Sequence, residues 1–427
     1  MALVPLALRR DPALVLLALA GHAPGAFSLD VPDPLHPVTL LCCAPTDELV
    51  VDAATPDALG AIARFVAESP AGDPTLPFPL AGGVVGYLAY ELGARLARPT
   101  LDRLPVEPLA VLRRYDPVLV FDRARRQYAL LRLDERRPTP AWLERVATPV
   151  SVPHGPLAAA PLAPALAADV YPARVRRILD YLVAGDAYQI NFTQPFWAPV
   201  LAPAWALFAR LARTHPAAYA AYLDLGDRQI VCNSPELFLR RRGAHVETRP
   251  IKGTRGRDVD DAAALAALRR DPKDAAEHVM IVDLERNDLG RICRAGSVDV
   301  SSLMRVESYA TLHHLVSTVR GRLRPDKGIA DLLRATFPGG SITGAPKIRA
   351  MEIIDEMEPV RRGVYTGAIG YFSADGSLDL NIAIRTLVLK DGMAYLHVGG
   401  GIVYDSQPEA EYQETLDKGK ALFEAWA

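Results

Sequence analysis

The stretch AIGYFSADGSLDLNIAIRTLVLKDGMAYLHV (residues 368–398) decides the fold class. Apolar and polar side chains alternate over 368–372, 380–389 and 393–398, which is the pattern of antiparallel strands. These segments follow one another directly, whereas a doubly wound parallel sheet has a helix between successive strands. The sequence therefore predicts an α+β fold with antiparallel sheets.

Similar patterns predict the other elements. Asp11 and Pro12 have the residue types of an N-cap and a first helical position, so 13–20 is expected to be a buried helix ending before Gly21. An export signal is the weaker alternative for this apolar run. Further strands are expected at 117–133, 220–224 and 229–232, a Gly-rich strand entering a helix at 81–92, and helices at 169–184, 273–289, 348–357 and 410–425.

Composition divides the chain into three parts. Residues 1–150 mix short apolar runs with frequent prolines, and Ala and Pro dominate the segment that follows. We expect an N-terminal α/β part (1–150) packed on the catalytic core, a connection (151–168) and a catalytic region (169–427).

Bulk properties exclude several classes of protein. The chain has 427 residues, of which 23% are charged, and a net charge of −2, so nothing favours binding to nucleic acid or to a membrane surface. Its four cysteines have neither a metal-binding spacing nor the density of a disulfide scaffold. We expect a cytoplasmic enzyme.

Two groups of acids are candidate metal ligands. Glu411, Glu414 and Lys418 share one face of a predicted helix, and glycines 399–401 precede them. An isolated pattern of this kind is usually a solvated surface, but two carboxylates beside a glycine-rich backbone suit Mg²⁺. Glu277 and Asp283 lie on a second helix that is largely apolar, where a carboxylate needs a partner such as a cation.

Lys252 lies in Arg-Pro-Ile-Lys-Gly-Thr-Arg (249–255), which its Pro and Gly predict to be a turn. Burial or a neighbouring cation can depress the pKa of a lysine enough to make it a nucleophile. Arg249, Arg255 and Arg257 could supply that effect, although a general anion-binding loop is equally compatible.

Four further polar residues are candidate site residues that could also have an ordinary structural role. Ser341 lies in a turn entering a helix, where free N–H groups could hold a carboxylate. Arg385 interrupts an apolar strand and is expected to face an anionic partner. His314 and Tyr365 could equally be packed in the core.

Several motifs in order resemble those of the chorismate-utilising enzymes. They are RPIKGTR (249–255), DAAEHVMIVDL (274–284), HHLVST (313–318), FPGGSITGAPK (337–347) and EAEYQET (409–415). The resemblance implies one large α+β unit of two antiparallel sheets packed together, with helices outside and the active site in a cleft.

The resemblance also implies roles for matching residues. Mg²⁺ would be held by Glu277 and Glu414, with Glu411 beside them. Glu236, in Ser-Pro-Glu-Leu-Phe (234–238), and His314 would handle the departing 4-hydroxyl of chorismate. The contacts to substrate would come from Gly253, Thr254, Ser341, Tyr365, Arg385, Gly400, Gly401 and Lys418, with Gln189 beside the reacting carbon.

Two positions point to a branch of the family. A lysine at the place of Lys252 is similar to that of the aminodeoxychorismate synthases, where it is proposed as a covalent nucleophile. Gln189 stands where water-adding relatives carry a general-base lysine, so ammonia is the expected nucleophile. No glutaminase triad is evident, and a separate glutamine amidotransferase subunit is expected to supply ammonia. Anthranilate formation is the alternative, and a metabolite-binding regulatory protein on the same scaffold is a weaker one.

Overall fold

A computed structural model describes residues 2–70, 83–97, 107–134, 138–148, 150, 155–157, 160–257, 261–270, 272–308 and 312–426. Its strands, numbered in chain order, are β1 (Ala2–Leu6), β2 (Phe27–Val31), β3 (Val38–Cys42), β4 (Asp47–Val51), β5 (Val84–Leu88), β6 (Ala110–Arg114), β7 (Val118–Asp122), β8 (Gln127–Arg132), β9 (Ala163–Pro164), β10 (Gln189–Pro199), β11 (Tyr219–Asp224), β12 (Arg228–Ser234), β13 (Leu237–Arg242), β14 (His245–Arg249), β15 (Ile251–Gly256), β16 (Asp299–Ser308), β17 (Leu312–Arg322), β18 (Gly344–Ala345), β19 (Ala368–Phe372), β20 (Leu378–Ile382), β21 (Thr386–Lys390) and β22 (Met393–Val403).

The helices are α1 (Pro12–Ala20), α2 (Ala58–Ala67), α3 (Tyr90–Ala97), α4 (Trp142–Arg145), α5 (Val170–Val183), α6 (Ala204–Thr214), α7 (Asp261–Arg270), α8 (Pro272–Gly290), α9 (Ile329–Thr336), α10 (Lys347–Met357) and α11 (Pro408–Trp426). A short 3₁₀ helix spans Gly340–Ile342. Within the described ranges, no helix has the length and hydropathy needed to span a membrane.

The strands form two large antiparallel sheets, which confirms the predicted fold class. The first sheet has the order β1-β8-β7-β3-β2-β11-β12-β21-β22-β10-β18, with β9 beside β10. The second has the order β15-β17-β14-β13-β20-β19-β5-β6-β4, with β16 beside β17. Strands from the first 150 residues continue both sheets, because β2 pairs with β11 and β5 pairs with β19.

Strand β5 shows how the layers are arranged. Val85 and Tyr87 are buried in one apolar cluster, which also contains the inner residues of the first sheet. Val84 and Leu88 point the other way, into a second cluster shared with the helices α2, α5, α9 and α10. A strand that is apolar on both faces lies between two packed layers, so the second sheet is covered by the first sheet on one side and by helices on the other.

The N-terminal helix begins and ends as predicted. The Asp11 carboxylate accepts a hydrogen bond from the Ala13 N–H at 2.8 Å, and the Gly21 N–H donates to the Leu17 carbonyl at 3.1 Å. The predictions for the strands at 117–133 and for the helices that became α5, α8, α10 and α11 are also confirmed.

Two predictions of local structure are wrong. The segment 380–389 is two strands, since β20 belongs to the second sheet and β21 to the first, and Arg385 between them has φ 50°. The expected turn around Lys252 is strand β15, which pairs with β17 and carries a bulge between Lys252 and Thr254. Gly253 makes that bulge possible, because its φ of 72° is costly for other residues.

Candidate active site

Several of the predicted site residues are brought together where strands of both sheets meet α8 and α11. A chain of contacts connects them. The close approach of Gly344 to the Gln189 carbonyl places β18 beside the start of β10, and Ser341, just before β18, contacts Glu236. Glu236 in turn accepts a hydrogen bond from the N–H of Ile251, next to Lys252, at 3.4 Å.

Glu236 is a buried carboxyl group between β12 and β13. The Ser341 hydroxyl donates to its Oε1 at 2.8 Å. Burial raises the pKa of Glu236 to about 7, although the hydrogen bonds from Ser341 and Ile251 and the charges of Arg385 and Lys252 work against that rise. A carboxyl group with such a pKa holds a proton near neutral pH and can act as a general acid.

Lys252 points at α8, where its ammonium contacts Glu277. Burial lowers the pKa of Lys252, but the charges of Glu277 and Glu414 outweigh burial, so the pKa is raised above its usual value. The expectation that nearby arginines depress this pKa is wrong. Their charges are balanced locally, since ion pairs join Arg249 to Glu307, Arg255 to Asp274 and Arg257 to Asp261.

The acids and the lysine of α11 face the glycine-rich end of β22. A Cβ atom placed on Gly400 would lie 3.3 Å from both Glu414 Oε1 and Lys418 Nζ and 3.5 Å from Glu411 Oε2. Lys418 pairs with Glu414 at 2.6 Å and donates to the Gly399 carbonyl at 3.2 Å. The prediction that these three side chains share one face beside the glycines is confirmed.

The donor set suits Mg²⁺. Across the described part of the chain, no cluster of three or more His, Cys, Asp or Glu side chains is arranged as a complete metal site. Mg²⁺ does not require one, because it commonly uses one or two carboxylates together with substrate oxygens and water. Glu277 is buried and Glu414 is half-buried, and the charges of both raise the pKa of Lys252. Both carboxylates therefore lie near one cation, the Lys252 ammonium group. Asp283, by contrast, is exposed and pairs with Arg286 at 2.9 Å.

His314 and Arg385 lie near Glu236, because the charge of Arg385 acts on both Glu236 and His314. His314 Nδ1 is 2.8 Å from the hydroxyl of Thr254, its partner across β15 and β17. Burial, and then the charge of Arg385, lowers the pKa of His314 to about 4, so the imidazole is neutral. Burial also lowers the pKa of Arg385, against the opposing charge of Glu236. Arg385 is therefore a half-buried cation at the crossing between the sheets, and not a strand residue as predicted.

Three further predicted residues make defined contacts. The Tyr365 ring stacks on His397 with 5.5 Å between ring centroids. Gln189 lies over Gly401, because its Nε2 atom is 2.7 Å from where a Gly401 Cβ would be. Gly253 packs against Asp274, because a Cβ atom on Gly253 would be 3.1 Å from Asp274 Oδ2.

Two residues of this region were not predicted. Asp274 packs over Gly253 and pairs with Arg255 at 3.4 Å. Asn191 lies opposite Gly401 in the pairing of β10 with β22. The period of two in a strand could have identified Asn191, because it places residues 189 and 191 on the same face.

Comparisons with known proteins identify the family of this chain. The family model for "chorismate binding enzyme" matches residues 30–424. Aminodeoxychorismate synthase component 1 of Klebsiella aerogenes is 44% identical over 82% of this chain and 78% of that protein. Anthranilate synthase component 1 of Streptomyces coelicolor is 42% identical over 86% of this chain and 77% of that protein.

A solved structure is also similar throughout. Anthranilate synthase component I from Streptococcus pneumoniae TIGR4 superposes with a TM-score of 0.80 at 34% identity, covering 92% of this chain and 93% of that one. The range of the family model includes every motif quoted above. The chain therefore belongs to the chorismate-binding enzyme family.

Proposed function

We propose that the protein is component 1 of an aminodeoxychorismate synthase, which replaces the 4-hydroxyl of chorismate by an amino group from ammonia. The observation that carries this proposal is the position of Lys252. Its amine is half-buried in the site beside Glu277, and it lies close enough to Glu236 to influence the pKa of that acid. A lysine and a protonated carboxyl group in one site are the nucleophile and the acid that this substitution needs.

The proposed reaction consists of two successive substitutions on the ring of chorismate. The Lys252 ammonium gives one proton to solvent and separates from Glu277, and its neutral amine then bonds to ring carbon 2. Both ring double bonds shift, the bond between carbon 4 and oxygen breaks, and the oxygen leaves as water with the proton of Glu236. Ammonia bonds to carbon 4, both double bonds shift back as the lysine leaves as a neutral amine, and Glu236 regains a proton from the new ammonium group. The sum is chorismate plus ammonia giving 4-amino-4-deoxychorismate plus water.

We also propose Mg²⁺ as the cofactor, held by Glu277 and Glu414 with Glu411 beside them. When bound, the ion would offset the charge of the chorismate carboxylates and orient the substrate. The Ser406 hydroxyl donates to Glu411 at 2.5 Å, which fixes that carboxylate against the backbone of the site. Lys418 would add a positive charge on the same side.

A glutamine amidotransferase subunit is the proposed source of ammonia. The similar proteins are named as first components of their enzymes, and this supports a second chain as partner. All four cysteines are free and buried, which suits a reducing compartment and supports a cytoplasmic location.

Anthranilate synthesis is the second candidate, because close relatives carry that name. Incubation of the purified protein with chorismate, an ammonium salt and Mg²⁺, followed by chromatography and fluorescence, separates the two. The proposal expects a non-fluorescent amino acid with the mass of 4-amino-4-deoxychorismate. Fluorescent anthranilate as the main product would overturn it, as would binding of chorismate without turnover.

A further inference from the structure

Arg362 is a buried cation that the proposed mechanism does not use. It lies between α10 and β19, and its side chain is 1% exposed. Its guanidinium makes five hydrogen bonds, as many as it has N–H groups. Nε and Nη2 donate to the two oxygens of Glu358 at 2.9 and 2.7 Å. Nη2 also donates to the Asn191 carbonyl at 2.8 Å, and Nη1 donates to the Ile342 carbonyl at 2.8 Å and to the Thr366 hydroxyl at 3.3 Å.

The surroundings of Arg362 hold it at both ends. At the guanidinium end, Glu358 Oε1 also accepts from the backbone N–H and the hydroxyl of Thr193 on β10, at 3.0 and 2.9 Å. At the backbone end, the carboxylate of Glu91 on α3 accepts from the N–H groups of Arg362 and Gly363 at 2.9 and 3.0 Å. The position of the guanidinium is therefore defined by separate parts of the chain.

Two of the acceptors adjoin residues of the proposed active site. Ile342 follows Ser341 in the short 3₁₀ helix, and the Ser341 hydroxyl donates to Glu236 at 2.8 Å. The Thr366 hydroxyl donates to the carbonyl of its neighbour Tyr365 at 2.6 Å. Arg362 thus holds the backbone that carries both Ser341 and Tyr365.

The pair of Arg362 and Glu358 is better suited to fixing geometry than to stabilising the fold. A buried ion pair contributes little net stability, because the desolvation of both charges offsets their attraction. The planar guanidinium, however, directs its donors rigidly, whereas a lysine has three donors on a flexible stem. A lysine at this position would keep the charge beside Glu358 and release some of the carbonyl groups.

We propose that Arg362 is a positioning residue of the active site, because its bond to the Ile342 carbonyl holds the Ser341 hydroxyl against Glu236. The inference rests on the proposed function, in which Glu236 is the acid. Without this bond the 3₁₀ helix can move, and Glu236 loses the donor that favours its charged form. The pKa of Glu236 would then rise further, and the fall of kcat/KM that follows its deprotonation would occur at higher pH.

The test measures kcat/KM for chorismate against pH in Arg362→Lys, Ser341→Ala and the double variant, at a constant concentration of unprotonated ammonia. We expect the falling limb to move to higher pH by on the order of one pH unit in each single variant. In the double variant the limb should stay where Ser341→Ala puts it, because both substitutions remove the same hydrogen bond.

Arg240→Lys is the matched control. Arg240 is 7% exposed and its Nε donates to the buried Asp379 at 2.6 Å, so it is also an arginine in a buried ion pair. Asp379 is not a residue of the proposed site. This variant should lower the Tm as Arg362→Lys does, but leave the falling limb in its natural place. An equal shift in the control would reflect general loosening and would overturn the inference.

Glu358→Gln is a second, milder variant. It keeps the size of the side chain and one acceptor oxygen, but weakens the hold on Arg362, so the limb should move in the same direction. This variant decides the matter if Arg362→Lys does not fold. A limb that stays in place in Glu358→Gln and in folded Arg362→Lys would overturn the inference, as would shifts that add in the double variant. The mass of the product tests the proposed function separately: anthranilate would refute that function, and the position of the limb would still decide the role of Arg362.

Discussion

At the scale of single residues, the ion pair between Lys252 and Glu277 has two separable consequences. It balances a buried carboxylate, and it keeps in the site the amine that we propose as nucleophile. Lys252→Arg should preserve the first role and abolish the second, because an arginine stays protonated. Lys252→Ala should lose both, and the unbalanced Glu277 should cost about 3 kcal/mol of unfolding free energy.

We therefore expect turnover to fall on the order of 1,000-fold or more in both variants, but the Tm to fall only in Lys252→Ala. Steady-state kinetics and thermal unfolding of the two proteins decide the matter. Turnover within a few-fold of the natural protein in Lys252→Arg would exclude covalent catalysis by this lysine.

The acid role of Glu236 predicts a pH dependence with a definite sign. Its pKa of about 7 means that the active, protonated form is lost as pH rises through this value. At a constant concentration of unprotonated ammonia, kcat/KM for chorismate should therefore decrease above pH of about 7. The folded pKa exceeds the ordinary value of 4.5, so the contribution of Glu236 to stability is complete below that value and is also lost as pH rises through 7.

Ser341→Ala tests this assignment, because the Ser341 hydroxyl donates to Glu236 and favours the charged carboxylate. Without it, the pKa of Glu236 should be higher and the falling limb of the pH profile should move to higher pH. A limb that stays in place, or moves to lower pH, would assign the titration to another group.

The proposed magnesium site predicts that the acidic residues of α8 and α11 differ in how their removal changes the Mg²⁺ dependence of activity. Glu277→Gln and Glu414→Gln each remove a charged oxygen ligand, and we expect the Mg²⁺ concentration for half-maximal activity to rise on the order of 100-fold. Asp283→Asn is the control, because Asp283 is on α8 but its side chain is 74% exposed. Ordinary Mg²⁺ dependence in both glutamine variants would show that these acids do not hold the ion.

Residue types and spacing predicted the face formed by Glu411, Glu414 and Lys418, because a helix has a fixed period. They could not predict the pKa of Lys252. That pKa depends on Glu277, which is 25 residues away in the chain, and on the acids that neutralise each neighbouring arginine. Only the folded arrangement determines which charges meet.

At the scale of elements, the three glycines of β22 should differ in their tolerance of a methyl group. A Cβ on Gly399 would be 2.3 Å from the Phe192 carbonyl oxygen, and backbone in a central strand cannot move easily. Gly399→Ala should therefore cost about 3 kcal/mol of unfolding free energy. The three atoms nearest to a Cβ on Gly401 all belong to the flexible side chain of Gln189, the first at 2.7 Å.

Gly401→Ala should accordingly keep most of the stability but lose activity through displacement of Gln189. The test measures denaturant unfolding and turnover of both variants, with Gly290→Ala as control. The stability loss should be larger in Gly399→Ala than in Gly401→Ala. Gly290 has no atom within 4 Å of its Cβ position and ends a helix, so alanine there should be neutral or stabilising. Equal stability losses at Gly399 and Gly401 would contradict the expectation.

The errors in predicting elements also have a physical origin. In 378–389 the apolar positions change phase at Arg385, from Leu380 and Ile382 to Leu387 and Leu389. That change marks the place where the chain leaves one sheet for the other, but the apolar residues 382–384 and 387–389 on either side conceal it. The bulge at Gly253 resembles a turn in sequence, because both need a residue with positive φ.

At the scale of the whole molecule, both sheets are built from distant parts of the chain. Five strands preceding residue 135 form one side of the first sheet, and β4, β5 and β6 form the end of the second. Glu91 of α3 also accepts hydrogen bonds from the N–H groups of Arg362 and Gly363, near Tyr365. The periodicity of the sequence predicted the strands, but the pairing of β2 with β11 and of β5 with β19 joins segments too far apart for local patterns to specify.

This pairing predicts that the catalytic region cannot fold alone. A fragment of residues 169–427 would expose the edges of β11 and β19 that β2 and β5 cover, together with apolar side chains such as Ile369 and Tyr371. We expect it to aggregate or to unfold without a cooperative transition, and to have no turnover of chorismate.

Co-expression with residues 1–168 should restore a soluble complex with measurable activity, because the missing strands can then pair in their native register. Thermal unfolding and turnover of the fragment, the co-expressed pair and the intact chain provide the comparison. A fragment that unfolds cooperatively and converts chorismate by itself would mean that the N-terminal strands only extend a region that is already stable.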